Sequence, residues 1–334
     1  LPVLSILGNA VVKVRMHILK WLAEPSDRQS DCMFDEVIVL FSRCVSSEVG
    51  MSAIRYSMII VVTAVCLRGL PAAADGMHYP LGAIRSDDGK VSVVDLRLPG
   101  VWQGSDGKLE HFFKASKKFR TPLNAARCIA FDKDGNVLVG DTSTRQVYRF
   151  SDDGKPTKLA GDGVGIGMPM AMAVDKEGTI FVADLELHRI FKIPHEGGEP
   201  VELAVVSAPR GLAFDSEGNL IVVSTTKDQL LKVTMKGEVS VLCPGRPFDF
   251  PHNVAISKDD TKFITDGYGK CIWKVGEDNK PTKLISGEPF VNPVGISIAG
   301  DVLLVTDPRA NAVFEVTLDG KLKDLKLPAE APAK

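Results

Sequence analysis

Short apolar segments alternate with turn residues from about residue 78 onward, and one pair of segments recurs along the chain. The stretch AFDKDGNVLVGD at 130–141 returns as AVDKEGTIFVAD at 173–184 and as AFDSEGNLIVVS at 213–224. Three looser copies complete a series of six units, at 84–95, 255–266 and 296–307. Segments of this length, rich in Val and Ile and separated by turns that contain Gly, predict antiparallel strands.

Each unit is about forty residues long and carries two further apolar segments after the repeated pair. In the third unit these segments are RIFKI and PVELA, and the turn HEGGE separates them. The segment TIFVAD of the same unit is apolar on both faces, so its sheet must be covered on both sides. Six units of four such strands predict an all-β fold, a six-bladed β-propeller of four-stranded antiparallel blades over residues 78–330. A two-sheet β-sandwich would not produce the forty-residue period.

The first part of the chain lacks the repeat. Residues 1–50 show no regular strand spacing, and we predict that they form an upstream extension rather than a domain. After Met51 come a basic residue, an apolar run of about ten residues and the small residues PAAADG, the order found in a secretory signal peptide. The sequence therefore predicts a signal peptide at 51–74 and an exported, periplasmic or secreted, mature chain without a membrane span. An uncleaved anchor or a buried helix is the alternative, which Arg68 directly after the apolar run favours.

Composition and charge narrow the classes of partner. The chain has 334 residues, of which 45% are hydrophobic and 25% charged, as expected for a globular protein with a sizeable core. Lys and Arg number 40 against 42 Asp and Glu, a balance that gives no electrostatic reason to expect nucleic acid or an anionic membrane surface as partner. Cys128, Cys243 and Cys271 fall in separate units, without disulfide or zinc spacing, and we predict that they are small buried residues.

The repeated unit resembles the NHL repeat. The stretches PRGLAFDSEGNLIVVS and PMAMAVDKEGTIFVADLELHRI carry the resemblance best, and it covers about residues 78–327. Through PHNVAISKDDTKFITD the chain also resembles the regucalcin and gluconolactonase group of six-bladed propellers. The resemblance implies the fold but little chemistry, because such propellers occur among binding proteins, scaffolds and enzymes.

The candidate chemistry lies at one variable position, the residue after the proline that opens each unit, a proline that Ala126 replaces in the second unit. In a propeller blade we expect this residue to enter the central channel, on the face that also carries the loop between the second and third strands. The position is occupied in turn by Leu81, Arg127, Met170, Arg210, His252 and Val294. The two arginines can grip a carboxylate or phosphate, and the histidine can bind a ligand or act as a general base.

We therefore predict a site for an anionic small molecule, a sugar acid or a protein or peptide segment, built from Arg127, Arg210, His252 and Asn253. Lys227, in the loop of the one blade whose second strand ends in Ser rather than Asp, is a further candidate. The alternatives are that the arginines pair with aspartates of the repeat and that the histidine has a structural role.

An aspartate ends the second strand in five of the six units, namely Asp95, Asp141, Asp184, Asp266 and Asp307. Ser224 takes its place in the fourth unit. Because the repeat itself accounts for these aspartates, we predict that each accepts backbone N–H bonds and braces the following turn.

The resemblance to the gluconolactonase group implies a second possibility, a divalent cation in the channel held by an early glutamate, asparagines and a late aspartate. Asn253 matches an asparagine of that pattern, but Leu81 and Val294 stand where the two acids are expected. The alternative function is accordingly a metal-dependent lactone hydrolase or lyase, with Ca²⁺ or Zn²⁺ at Asn253, Asp249 and Asp266 and with His252 as base.

Overall fold

The chain folds into a ring of sheets. The computed structural model describes residues 78–323 apart from 98–99, 106–108, 117, 119–120 and 161–164. Within these residues the strands form six four-stranded antiparallel sheets, so the six-bladed β-propeller is confirmed. The extension predicted at 1–50 and the signal peptide predicted at 51–74 lie outside the described residues. No helix in the described ranges is long and apolar enough to cross a membrane.

The blades follow one another in chain order, and each is built from four consecutive strands. The first contains β1 (Pro80–Arg85), β2 (Val91–Asp95), β3 (Gly100–Gly104) and β4 (Glu110–Lys114). The second contains β5 (Ala126–Phe131), β6 (Val137–Asp141), β7 (Gln146–Phe150) and β8 (Pro156–Lys158). The third contains β9 (Pro169–Val174), β10 (Ile180–Asp184), β11 (Arg189–Ile193) and β12 (Val201–Val205).

The remaining three blades repeat this plan. The fourth contains β13 (Pro209–Phe214), β14 (Leu220–Ser224), β15 (Leu230–Val233) and β16 (Val239–Cys243). The fifth contains β17 (Pro251–Ile256), β18 (Lys262–Asp266), β19 (Cys271–Val275) and β20 (Pro281–Ser286). The sixth contains β21 (Gly295–Ala299), β22 (Val302–Asp307), β23 (Ala312–Thr317) and β24 (Leu322–Lys323).

Apolar packing between neighbouring blades forms the core. Six buried apolar clusters occur in the described residues, and each joins two adjacent sheets. Leu138 of the second blade packs with Ile180 of the third, for example, and Val93 of the first blade packs with Leu304 of the sixth. The second strands of the first five blades are buried along their whole length because a neighbouring blade covers each of their faces.

The ring closes by packing of the first blade on the last. The strand β24 pairs with β23 of its own blade, so the last described strand completes the sixth blade. Ser297 Oγ donates a hydrogen bond of 2.7 Å to the Ala83 carbonyl across this seam, and Arg85 forms an ion pair with the buried Glu315. The closing interface therefore combines an apolar cluster with polar contacts from both blades.

The aspartates that end the second strands act as predicted. Asp184 is fully buried and accepts backbone N–H bonds from both sides of its strand pair. Its donors are Gly167, Met168, Glu186 and Leu187. Asp95, Asp141, Asp266 and Asp307 repeat this arrangement. Each carboxylate thus ties the loop before the first strand of its blade to the loop after the second strand, which places both loops on one face.

The three cysteines of the repeats are buried and free, also as predicted. Burial raises the pKa of the Cys128 thiol to about 12, and it raises that of Cys271 to the same value. Both side chains are therefore protonated, inert packing groups at neutral pH.

Candidate functional site

A β-bulge at the start of the inner strand presents the variable residue of the repeat to the channel. In the first five blades the register of the first two strands shifts at this residue, which is left without a partner in the ladder. The residues concerned are Leu81, Arg127, Met170, Arg210 and His252. A bulge bends the strand and re-aims the extra side chain, and all five residues line one cavity of about 520 Å³.

The two arginines of this cavity have no anionic partner. The Nε atoms of Arg127 and Arg210 are buried and make no hydrogen bond. No ion pair in the described part of the chain includes either residue, and none of the described residues that line the cavity is an aspartate or glutamate. The described aspartates that end the second strands form no ion pair with either arginine, and the oxygens of Asp184 and Asp266 accept hydrogen bonds from backbone donors instead.

The charges of the arginines act on one another. Burial lowers the pKa of the Arg210 guanidinium, and the neighbouring charge of Arg127 lowers it further. The Phe250 ring partly compensates Arg210, because the guanidinium carbon lies 4.7 Å from its centroid in a cation–π contact. The pair therefore carries positive charge without an acidic partner among the described residues, in a partly desolvated site where the attraction of an anion is strong.

Neutral polar groups stand beside the arginines. Burial and the adjacent charge of Arg210 lower the pKa of His252 to about 4, so the imidazole is neutral at neutral pH. Asn292, which is 8% exposed, also lines the cavity. A Cβ atom at Gly267 would lie 2.6 Å from Asn292 Oδ1 and 2.7 Å from His252 Nε2, so the absence of a side chain there leaves room for both groups.

The sequence analysis missed Asn292, which lines the cavity, and Phe250 and Tyr268, which do not line it but lie beside Arg210 and His252. All three lie on the channel face, in the loops that the aspartates tie together. The sequence signal that could have identified them is their place in those loops. Phe250 and Asn292 directly precede the proline of their units, and Tyr268 follows Asp266 by two positions.

The other predicted site residues divide between the cavity and the surface. Asn253 lines the cavity, and its Oδ1 accepts a hydrogen bond of 2.9 Å from the Val254 amide. Lys227 and Asp249 are exposed and are not among the residues that line the cavity. The structure therefore brings together four predicted residues in one cavity, namely Arg127, Arg210, His252 and Asn253. Lys227 and Asp249 do not line this cavity.

Asp266, predicted as a metal ligand in the alternative function, is a bracing carboxylate. It is fully buried, and its two oxygens accept four hydrogen bonds. The donors are the amides of Asp249, Phe250 and Gly269 and the indole Nε1 of Trp273. With these oxygens engaged, the carboxylate is unsuited to hold a cation in the channel.

The channel does not fit a divalent cation. Ca²⁺ takes six to eight oxygen ligands, several of them from carboxylates. Leu81 and Val294 present apolar side chains at the two positions where the gluconolactonase resemblance implies acids, and two guanidinium groups repel a cation from the same cavity. We therefore assign no cation to the described residues of this site.

A group that could hold a metal ion lies at the opposite end of the second blade. Asp132, Asp134 and His195 each offer one ligand atom, and these three atoms lie within 4.8 Å of one another. Arg149 already contacts two of them, through Nε 2.7 Å from Asp132 Oδ2 and through a hydrogen bond of 2.8 Å to the His195 carbonyl. A cation there would compete with the guanidinium, and the group follows the end of β5 that is remote from Arg127.

Comparisons with known proteins agree with the fold. No protein-family model matches the chain. Peptidyl-glycine alpha-amidating monooxygenases A and B of Xenopus laevis are 24% and 23% identical to it over 257 and 256 residues. The match covers 67% of this chain in each case but only 27% and 29% of the relatives, so the chain spans less than a third of their length.

Similar solved structures are six-bladed propellers of the gluconolactonase and virginiamycin B lyase kind. Virginiamycin B lyase from Staphylococcus aureus is 19% identical with a TM-score of 0.58, covering 74% of this chain and 84% of its own. A gluconolactonase from Xanthomonas campestris is 17% identical with a TM-score of 0.60, covering 70% and 85%. A chain of the nidogen–laminin complex is 21% identical with a TM-score of 0.58, covering 74% and 91%. At these identities the likeness establishes the fold, and the similarity to the monooxygenases is likewise of the NHL type.

Proposed function

We propose that this protein is an exported NHL-type propeller that binds a small carboxylate-bearing molecule at the channel mouth. The observation that carries the proposal is the pair Arg127 and Arg210, two half-buried side chains whose Nε atoms are buried and which have no acidic partner in the described residues. The export rests on the signal-like segment at 51–74, which N-terminal sequencing of the exported protein tests.

A carboxylate suits this arrangement for electrostatic and geometric reasons. Two half-buried positive charges disfavour each other, and an anion between them would offset that cost. The guanidinium fork pairs with two oxygens of a planar anion through charge-assisted hydrogen bonds. His252 and Asn292 add neutral hydrogen-bonding groups that can bind hydroxyl or amide groups of the same molecule.

The protonation state of His252 favours binding over proton transfer. A general base is most effective when its pKa lies near the working pH, and the pKa of His252 is lowered to about 4. At neutral pH the imidazole therefore serves better as a hydrogen-bonding group than as a base.

Replacement of Arg210 tests the proposal. We expect wild-type protein to bind small carboxylates in isothermal titration calorimetry and Arg210→Ala to weaken binding roughly 10- to 100-fold, the effect of losing charge-assisted hydrogen bonds. Arg210→Lys should retain part of the affinity, because the point charge remains while the fork is lost. Lys227→Ala, which removes an exposed charge outside the cavity, is the control and should bind as the wild type does. Equal affinity in wild type and Arg210→Ala would refute the proposal.

The alternative function, a metal-dependent lactone hydrolase or lyase, is tested by metal analysis. The structural similarity to a gluconolactonase and a virginiamycin B lyase motivates the experiment. We expect carboxylate binding to survive treatment with EDTA and the metal content to be the same in wild type and Asn253→Ala. One Ca²⁺ or Zn²⁺ per chain that is lost in Asn253→Ala would instead support the enzyme. A metal lost in Asp134→Ala, but not in Asn253→Ala, would belong to the cluster on the opposite face.

A further inference from the structure

We propose that the ligand carries a ring next to its carboxylate, and that Phe250 and Tyr268 form the wall on which this ring packs. The inference rests on the proposed function, since it assumes that the carboxylate binds at Arg127 and Arg210. It extends that function by defining the chemical class of the ligand as a ring-bearing carboxylic acid.

Tyr268 has an unusual environment for an aromatic residue. Its relative exposure is 65%, and it is the only aromatic side chain among the large hydrophobic residues that the described part of the chain leaves exposed. It follows Asp266 by two positions, in the loop between β18 and β19, and therefore lies on the channel face. A glycine stands on each side of it, so no neighbouring side chain in the loop covers its ring.

The Tyr268 ring is the outer member of a continuous aromatic surface. It stacks on Phe250 with 4.7 Å between ring centroids and an angle of 25° between the ring planes. Phe250 in turn contacts the Arg210 guanidinium at 4.7 Å and the His252 ring at 5.0 Å. The surface thus runs from solvent at Tyr268 to the buried charge at Arg210 without a polar interruption.

The position of this aromatic surface determines which part of a bound molecule it can contact. A carboxylate held by the arginines occupies the buried end, and the remainder of the ligand extends toward the mouth. Aromatic rings pack in offset or edge-to-face contacts at centroid distances of 4.5–7 Å, and a flat ring therefore covers more of this wall than an open chain does. Tyr268 can also offer its hydroxyl group at the rim, which allows the ring to be either aromatic or a sugar.

Two matched pairs of probes test the ring requirement in the full-length protein. Phenylacetate is compared with hexanoate, and glucuronate with gluconate, so that each ring acid has an open-chain counterpart. We expect at least one ring acid to bind wild-type protein roughly threefold to tenfold more tightly than its counterpart, the gain typical of aromatic packing. The preferred pair then identifies the ring as aromatic or as a sugar.

Substitution of Tyr268 separates this inference from the proposed function. Tyr268→Ala should weaken binding of the ring acid more than that of its open-chain counterpart and so abolish the preference, while Tyr268→Phe should keep most of the preference. Because the side chain is exposed, both variants should melt within about 2 °C of the wild type. A preference that survives Tyr268→Ala, or no preference in wild type, would overturn the ring proposal and leave the arginine site intact. Failure of wild type to bind any of the four acids would overturn both.

Discussion

Asp184→Ala should destabilise the propeller by about 3–5 kcal/mol. The carboxylate is fully buried and accepts four backbone N–H bonds, two from before β9 and two from after β10. Each buried donor left without a partner costs about 1–3 kcal/mol, and water entering the space recovers part of the sum. Chemical denaturation followed by tryptophan fluorescence and by circular dichroism measures the loss, as a lower midpoint of unfolding.

Two further variants show whether the hydrogen bonds cause this loss. Asp184→Asn keeps one oxygen acceptor and should lose less stability than Asp184→Ala. Asp153→Ala removes an exposed turn carboxylate that contacts only Ser151 and Lys155, and it should change the free energy of unfolding by less than about 0.5 kcal/mol. If Asp184→Ala were no more destabilising than Asp153→Ala, the bracing role would be wrong for the whole ring of aspartates.

The fold and the aspartates could be predicted because both repeat. Six copies of one strand pair indicate the number of blades directly. A residue that recurs in five of the copies is expected to have a structural role that these blades share. The same frame located Arg127, Arg210 and His252, because all three occupy the same position of the repeat, which follows a proline in every unit but the second. What the frame did not reveal is the cause, a β-bulge that leaves each of these residues unpaired.

The rest of the site depends on distances that a repeat does not encode. Phe250 and Tyr268 meet only because the loops before β17 and after β18 are tied together by Asp266. Asp266 was considered as a metal ligand from its place in the repeat, and the hydrogen bonds that its oxygens accept become visible only when the surrounding donors are placed. Lys227 illustrates the same limit. Its position in a loop of the repeat was known from the sequence, but that position does not determine whether the side chain points into the cavity or into solvent, and in the structure it is exposed.

The group on the opposite face is likewise a product of tertiary structure. Asp134 belongs to the turn after β5, whereas His195 belongs to the turn after β11 of the next blade. Their side chains approach to 3.0 Å across the interface between the blades. Neither residue stands at a position that the repeat distinguishes, so sequence alone gave no reason to pair them.

Gly211→Ala should destabilise the protein by about 3 kcal/mol and also weaken carboxylate binding. The inner strands of the fourth and fifth blades approach so closely that a Cβ atom at Gly211 would lie 2.6 Å from Asn253 Cα and 2.9 Å from the Val254 amide nitrogen. These are backbone atoms, which cannot rotate away as a side chain can, so the two strands must separate. Because Gly211 adjoins Arg210 and Asn253 adjoins His252, the separation would also pull apart the groups that bind the carboxylate.

Gly276→Ala is the matched control for this prediction. Its Cβ atom would meet nothing nearer than Asp278 Oδ1 at 3.9 Å, and its backbone is not in the left-handed region. The substitution should therefore leave stability unchanged or raise it slightly by restricting the unfolded chain. Thermal melting and calorimetric titration of both variants check the two effects together. If Gly211→Ala had the same melting temperature as Gly276→Ala and bound carboxylates normally, the inner strands would not approach as described. The geometry described for the arginine site would then be wrong as well.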